Sequence, residues 1–184
     1  MIASRAVRLT MQVALLLALL AGSAFVLLRP YLNDDERLFD EGRIDTVLKQ
    51  GPVTVGHVEY KLDSLKVYSK LADKDGEEIS VGAPAGSVYI VALLTVTPRE
   101  GLYLKDKGFR CDVALRDDRG NSWSEQQAYG FPYPTYCSDN DHPFTMDKPG
   151  QVAQIFTVPA SAVPHLTGVV VDDLGERRRV LITP

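Results

Sequence analysis

The spacing of apolar residues divides this chain into three parts. The first, Met11–Leu28 (MQVALLLALLAGSAFVLL), is apolar on every side and carries no charge. As a helix, its 18 residues would extend about 27 Å at ~1.5 Å per residue, close to the thickness of a bilayer core. The pattern predicts a transmembrane helix, and every other predicted element follows it.

The second part, residues 29–51, is charged and poor in apolar residues. Asn33 precedes three acidic residues, Asp34–Glu36, and this order is typical of a helix start. The few apolar residues do not sustain a heptad, and Gly42 interrupts them, which favours a helical spacer over a dimerising coiled coil. We interpret this part as a juxtamembrane connector.

From Pro52 onward, apolar residues recur at every second position, which is the period of a β-strand. Within His57–Lys70, we expect Leu65 and Val67 to face inward, whereas Leu62 interrupts the alternation. This segment therefore predicts one or two half-exposed strands.

Ser87–Thr97, SVYIVALLTVT, is apolar on both faces, as is typical of a strand in the middle of a sheet that is covered on each side. Further strands are predicted at Phe109–Arg116, from Trp123, at Pro149–Val158, at Leu166–Val171 and at Val180–Thr183. Short strands with turn signals between them, and no convincing helix, predict an all-β domain over residues 52–184. Its expected architecture is an antiparallel β-sandwich of two sheets.

Several short motifs in this domain resemble those of bacterial envelope proteins that carry an immunoglobulin-like domain of unknown function. They are Gly86–Val91, then Leu115–Asp117 with Gly120–Asn121, then Pro149–Gly150 leading to Phe156–Pro159. Thr97-Pro98 departs from the polar turn residue that this family usually has. The resemblance covers residues 55–184 and implies an immunoglobulin-like fold, export, and attachment to the membrane by a lipid or a helix. It implies no catalytic residues, because the family shares none.

Charge is distributed unevenly along the chain. Residues 1–29 hold three arginines and no acid, which leaves the remainder with a net charge of −7. An acidic body disfavours nucleic acid as a partner, and the basic triplet Arg177–Arg179 is predicted to be a solvated strand edge.

The domain after the connector has about 130 residues, enough for one core.

Two features predict an extracytoplasmic body anchored in the cell membrane by a single span. The short tail, residues 1–10, followed by an apolar segment resembles a secretory signal, which exports the chain behind it. The two cysteines both lie in the body, as suits an oxidising compartment. Small residues at Ala21–Ala24 are suitable for signal peptidase, but the apolar run continues to Leu28, which favours an uncleaved anchor.

One loop is the candidate contact surface. A disulfide between Cys111 and Cys137 would close a loop and stabilise the fold by roughly 3–4 kcal/mol. The loop presents aromatic residues between glycine and proline, and a stiff aromatic loop loses little entropy on binding. We expect an envelope protein or a cell-wall component as its partner. The alternative is that these aromatic side chains cap the core. The candidate residues are Trp123, Tyr129, Phe131, Tyr133 and Tyr136.

A metal site is the main chemical alternative. Cys137, His142 and Met146 follow the spacing C-x4-H-x3-M, and thiolate, imidazole and thioether are the ligands of blue-copper sites. Cupredoxins end about one strand after the methionine, however, whereas 38 residues follow Met146. A disulfide would also remove Cys137 as a ligand. We therefore expect no cofactor and keep a cupredoxin-like copper protein as the alternative.

No catalytic motif is present in the sequence. The three histidines, His57, His142 and His165, are far apart, and none lies in a pattern for nucleophilic or metal-assisted hydrolysis. Asp139 and Asp141 beside His142 would suit a cation, but a polar loop explains them equally well. The expected function is a non-catalytic binding or scaffolding module of the envelope, and an uncharacterised envelope hydrolase is the alternative.

Overall fold

The computed structural model describes residues 2–32, 35–79, 81–102, 104, 109, 111–137 and 144–184. The chain forms two compact units, Met1–Gly42 and Arg43–Pro184.

The first unit is helical. Helix α1 spans Ile2–Leu32 and the short helix α2 spans Asp35–Asp40. Within α1, the 20 residues Thr10–Arg29 have a mean hydropathy of 2.3, and none of them is buried. This helix is long and apolar enough to cross a membrane, a test that a signal sequence near the N-terminus also passes. The predicted span, Met11–Leu28, lies inside it.

The second unit is built from strands. In chain order, they are β1 Thr46–Lys49, β2 Val53–Val55, β3 Val58–Tyr68, β4 Leu71–Ala72, β5 Glu78–Ile79, β6 Ser87–Pro98, β7 Val113–Asp117, β8 Ser122–Ser124, β9 Gly150–Pro159, β10 Leu166–Asp173 and β11 Arg178–Thr183. A 3-10 helix, Ala160–His165, precedes β10. One sheet has the order β1-β11-β10-β7-β8 and the other the order β2-β3-β6-β9, while β4 and β5 form a separate hairpin.

The predicted all-β sandwich is confirmed, with two corrections. Strand β1 runs parallel to β11, pairing Thr46 with Val180 and Lys49 with Thr183, so the sandwich is not wholly antiparallel. The same strand lies in the segment predicted as connector, so the body begins at Arg43 and not at residue 52. Leu48 packs against the core and explains why this segment joins the sheet.

Strand β6 is covered on both faces, as predicted. It lies between β3 and β9. Its even-numbered side chains, such as Ile90 and Leu94, belong to the core between the two sheets. Its odd-numbered side chains Tyr89 and Val91 belong to a second cluster on the outer face, with Leu71 of β4 and residues of β9. The hairpin β4–β5 therefore covers one part of that outer face.

A β-bulge in β3 explains why Leu62 interrupts the alternation. Leu62 pairs with Leu94 and Ser64 pairs with Leu93, which leaves Asp63 as the extra residue. After the bulge, Leu65 packs against the core, but Val67 is 52% exposed. Val67 pairs with Ile90 and therefore lies on the core-facing side of β3, as predicted, but this end of the strand is exposed because it extends beyond the core.

Candidate contact site at the disulfide-closed loop

The predicted disulfide is present and fixes one end of the candidate loop. Cys111 and Cys137 are bonded, with their Cα atoms 5.8 Å apart, and both are buried. The sequence predicts Cys111 within a strand, but β7 begins only at Val113, so Cys111 precedes the strand. Beside the bond, the Phe109 N–H donates to the Cys137 carbonyl oxygen at 2.9 Å.

Two backbone hydrogen bonds attach the loop to the outer edge of β9. The Gln126 N–H donates to the Ile155 carbonyl at 2.7 Å, and the Ala153 N–H donates to the Pro134 carbonyl at 2.8 Å. Residues 126–137, which we call the aromatic loop, thus run along an edge that would otherwise be open. The loop is held at its start, near its end and by the disulfide.

The predicted contact residues divide into two groups. Trp123 and Phe131 are partly buried, the first against the core and the second against the outer cluster. Tyr136 is half-buried. Tyr129 is 78% exposed and Tyr133 is 41% exposed. The capping role therefore describes Trp123 and Phe131, whereas Tyr129 and Tyr133 present their rings to solvent.

A cleft of about 430 Å³, which we call the β9 cleft, lies between the aromatic loop and the start of β9. Its walls include Tyr133, Pro134, Phe144, Lys148 and Gln151. A second cleft, of about 530 Å³, lies on the other side of the loop. Pro132, Tyr133 and Pro134 line both clefts, so this part of the aromatic loop is shared by two depressions.

Phe144 forms the far wall of the β9 cleft because of a glycine beneath it. A Cβ at Gly150 would lie 2.6 Å from Cε1 of Phe144, so a larger residue would displace the ring. Phe144 also packs edge-on against Phe109, with centroids 5.5 Å apart. The ring is therefore fixed from two directions.

A polar network on the outer face of the β3-β6-β9 sheet ends at the cleft. Lys61 Nζ donates to Asp63 Oδ1 at 2.8 Å, and Thr95 Oγ1 donates to Asp63 Oδ2 at 2.6 Å. Burial by itself would raise the pKa of Asp63, but hydrogen bonds from Lys61, Thr95 and Gln151, with the charge of Lys61, lower that pKa. The carboxylate is an acceptor only, so Gln151 uses an amide N–H toward Asp63.

The main chain of Gln151 offers a further donor and acceptor to the cleft. Strand β9 pairs with β6 without a register shift from Gly150 to Pro159. Ala153 and Ile155 direct their polar main-chain groups away from β6, toward the aromatic loop. Because the direction alternates residue by residue in an antiparallel strand, the N–H and C=O of Gln151 point the same way. The aromatic loop pairs with Ala153 and Ile155 but leaves Gln151 unpaired in the part of the chain that the structure describes.

One cation lines the β9 cleft. Lys148 is exposed, and no hydrogen bond or ion pair occupies its ammonium within the described residues. Among the described residues, no acidic side chain contributes to the lining. The cleft thus combines apolar walls, one positive charge and an unpaired main-chain edge.

The copper alternative loses its thiolate, because the disulfide occupies the Cys137 sulfur. Met146 is half-buried, while His142, with Asp139 and Asp141, lies outside the described residues. Among the residues that are described, no three His, Cys, Asp or Glu side chains come close enough to hold a metal ion.

His165 lies in a surface cluster and not in the contact site. Its Nδ1 contacts the Asp118 carboxylate at 3.2 Å, and its Nε2 contacts the Arg119 guanidinium. Both ring nitrogens are occupied, so the pair His165–Asp118 leaves no nitrogen to activate a nucleophile. The basic triplet is likewise partly neutralised, since Arg179 Nε donates to Asp172 at 2.8 Å.

No known protein family and no curated protein matches this chain. Among solved structures, the chain is similar to an uncharacterised β-sandwich protein from Clostridium difficile 630, at 13% identity and a TM-score of 0.45. The match covers 77% of this chain and 94% of that one. The β-sandwich is shown by the two sheets, and the envelope family stays a prediction.

Proposed function

We propose that this chain is a single-pass membrane protein whose body is an extracytoplasmic, immunoglobulin-like β-sandwich that binds or scaffolds a partner in the cell envelope. The aromatic loop is its contact surface. The observation that carries this proposal is the exposure of Tyr129 (78%) and Tyr133 (41%) on a loop fixed at several points. Exposed aromatic residues on a rigid support bind at low entropic cost.

The immunoglobulin-like assignment rests on strand order. A five-stranded sheet containing β11, β10, β7 and β8 faces a sheet containing β3, β6 and β9. The first strand joins the last in parallel, and the connection from β6 to β7 crosses between the sheets. Crossings of this kind are typical of sandwiches with Greek-key connections.

The location rests on the apolar helix and on the disulfide. Thr10–Arg29 would act as an uncleaved anchor, and the bond between Cys111 and Cys137 suits an oxidising compartment. Alkaline phosphatase fused after Pro184 tests this topology, because the enzyme is active only outside the cytoplasm. We expect activity from the full chain and none from a control without residues 2–32. An inactive full-length fusion would contradict the proposal.

The contact role is tested by photo-crosslinking in intact cells. A benzophenone amino acid is placed at Tyr129 or at Tyr133, and the control is Tyr68, which is 40% exposed on β3. We expect discrete crosslinked products from the two loop positions and none from Tyr68. Equal products from all three positions, or none from any, would reject the aromatic loop as a contact surface.

The proposed activity is binding without catalysis, to an envelope protein or a cell-wall component and not to nucleic acid. A binding surface loses function when its aromatic residues are changed, whereas an enzyme loses function when one titratable residue is changed. We expect His165→Ala to retain crosslinking from Tyr129 and Tyr133→Ala to reduce it. Loss of function in His165→Ala alone would favour an enzyme.

A further inference from the structure

We infer that the β9 cleft binds an extended polypeptide segment of the partner that carries an acidic residue. The inference deepens the proposed function, on which it rests, because it names the chemistry of the partner at the aromatic loop. Three independent features of the cleft support it.

The first feature is the main chain of Gln151, which has no hydrogen-bond partner among the residues that the structure describes. The aromatic loop pairs with β9 at Ala153 and Ile155 and not at Gln151. An extended peptide supplies a C=O and an N–H at the spacing of a neighbouring strand, so it satisfies both groups of Gln151 by continuing the edge that the loop begins. A partner with a free extended strand is therefore suited to this place.

The second feature is the pair of apolar walls. Tyr133 and Pro134 lie on one side of the β9 cleft and Phe144 on the other, with about 430 Å³ between them. This volume is in the range of clefts that enclose small ligands, about 300–1000 Å³, and admits only a few side chains. A segment lying along β9 thus places an apolar side chain between Tyr133 and Phe144.

The third feature is charge. Lys148 is the one charged residue that lines the cleft among the described residues. Its ammonium is exposed and has no ionic partner there, although the body as a whole is acidic. An aspartate or glutamate on the bound segment pairs with Lys148, whereas a basic segment is repelled by it. Lys148 supplies one positive charge, which is enough to pair with one acidic residue of a peptide. A polyanion carries many negative charges, and the acidic body would repel it.

Panning tests the inference with a random heptapeptide phage library on the full-length protein in detergent. We expect enriched sequences with an acidic residue at one fixed position. Lys148→Glu should weaken the best peptide about ten- to a hundredfold, and changing the peptide's acid to lysine should restore binding to this variant. The matched control is Lys66→Glu, an exposed lysine on β3, which should leave the affinity unchanged.

A second measurement tests the main-chain pairing. Methylating each amide nitrogen of the peptide in turn should reduce affinity sharply at the one position that donates to the Gln151 carbonyl. Thermal melting of Lys148→Glu verifies that the fold is intact. An equal effect at every position would reject pairing with β9.

The inference and the proposed function fail in different ways. The inference alone would be overturned if crosslinks from Tyr133 were observed but the affinity for peptides was the same in Lys148→Glu. It would also be overturned if panning enriched no acidic peptides. Retention of the protein on an array of neutral and acidic oligosaccharides, abolished by Tyr133→Ala, would also overturn it in favour of a glycan. Absence of any crosslink from the aromatic loop would overturn both.

Discussion

The side-chain amide of Gln154 lies against the disulfide in the core, with Nε2 3.8 Å from Sγ of Cys111 and 3.5 Å from the Thr135 carbonyl oxygen. Gln154 is 1% exposed. Its Oε1 has no hydrogen-bond partner in the part of the chain that the structure describes. A buried amide oxygen without a partner costs about 1–3 kcal/mol. Strand β9 therefore buries a polar side chain, that of Gln154, which makes only weak contacts.

Gln154→Met should stabilise the fold, because methionine has a similar shape and leaves no oxygen to desolvate. We expect the free energy of unfolding, measured in urea, to rise by about 1 kcal/mol. Gln154→Glu is the opposite test and should destabilise the protein strongly, since it buries a carboxyl group. A methionine variant that is less stable than the original protein would show that the amide contacts outweigh the unpaired oxygen.

Removal of the disulfide should lower stability without removing the fold. The bond joins residues 26 apart, for which the chain-entropy model gives roughly 3–4 kcal/mol. The double variant Cys111→Ala, Cys137→Ala should lose about that amount in urea unfolding. A thiol reductant should have no further effect on this variant, which is the control for reduction of the original protein. An unchanged midpoint in the double variant would contradict the prediction.

The exposed and the packed aromatic residues of the loop should behave differently. Phe131→Ala removes a side chain that packs against the outer cluster and should cost about 2 kcal/mol. Tyr133→Ala removes a ring that is 41% exposed and should cost less than about 1 kcal/mol. Tyr68→Ala, at 40% exposure, is the matched control for loss of a tyrosine. Thermal melting separates these cases, and a large loss in Tyr133→Ala would assign that ring to packing.

Acid should destabilise the body through two aspartates. Burial alone would raise the pKa of Asp117, but hydrogen bonds from the side chain and main chain of Asn121 and from the Arg119 N–H lower it. The pKa of Asp63 is also lowered. A carboxylate with a lowered pKa contributes stability above the unfolded value of 3.8 and loses it as the pH falls through the folded value.

We therefore expect unfolding free energy to decline below about pH 4. The double variant Asp63→Asn, Asp117→Asn should be less stable at neutral pH and show a shallower decline in acid. Asp75→Asn, at an exposed turn residue, is the control and should leave the pH profile unchanged. A double variant with the original slope would show that other groups cause the acid sensitivity.

The correct start of the body is tested by truncation. A fragment 43–184 keeps β1, whereas a fragment 52–184 loses it with the core packing of Leu48 and its pairs with β11. We expect the shorter fragment to be less stable by about 2–3 kcal/mol in urea. A third fragment that starts at Asp45 should match the longer one. Equal stability of the fragments starting at 43 and 52 would mean that β1 contributes little.

The long strands could be predicted because the alternation or continuity of apolar residues within each strand shows which of its faces are buried. Strand β6 is apolar at every position from Val88 to Leu94, and both of its faces are covered. The break at Leu62 could be detected but not explained, because a bulge is defined by the partner strand and not by its own residues. Strand β1 was missed, because four residues are too few to establish a period and its partner lies at the other end of the chain.

The candidate site was only partly predictable for the same reason. The aromatic loop could be recognised because its tyrosines, glycine and prolines are adjacent in sequence. Asp63, Thr95 and Gln151 come from β3, β6 and β9 and meet only after the strands have paired in register. Their residue types do not indicate this network in the sequence. The sequence does not single out Lys148 either, because its role as the one charged residue of the β9 cleft depends on which described residues line that cleft.

The parallel pairing of β1 with β11 has a mechanical consequence. Tension applied between Thr46, where β1 begins, and Thr183, where β11 ends, pulls the two strands in opposite directions along their axes. All four residue pairs from Thr46↔Val180 to Lys49↔Thr183 then bear the load together, in shear, and do not open one at a time. The pairing of β1 with β11 thus resists separation of the first and last strands of the sandwich by a force along their axes.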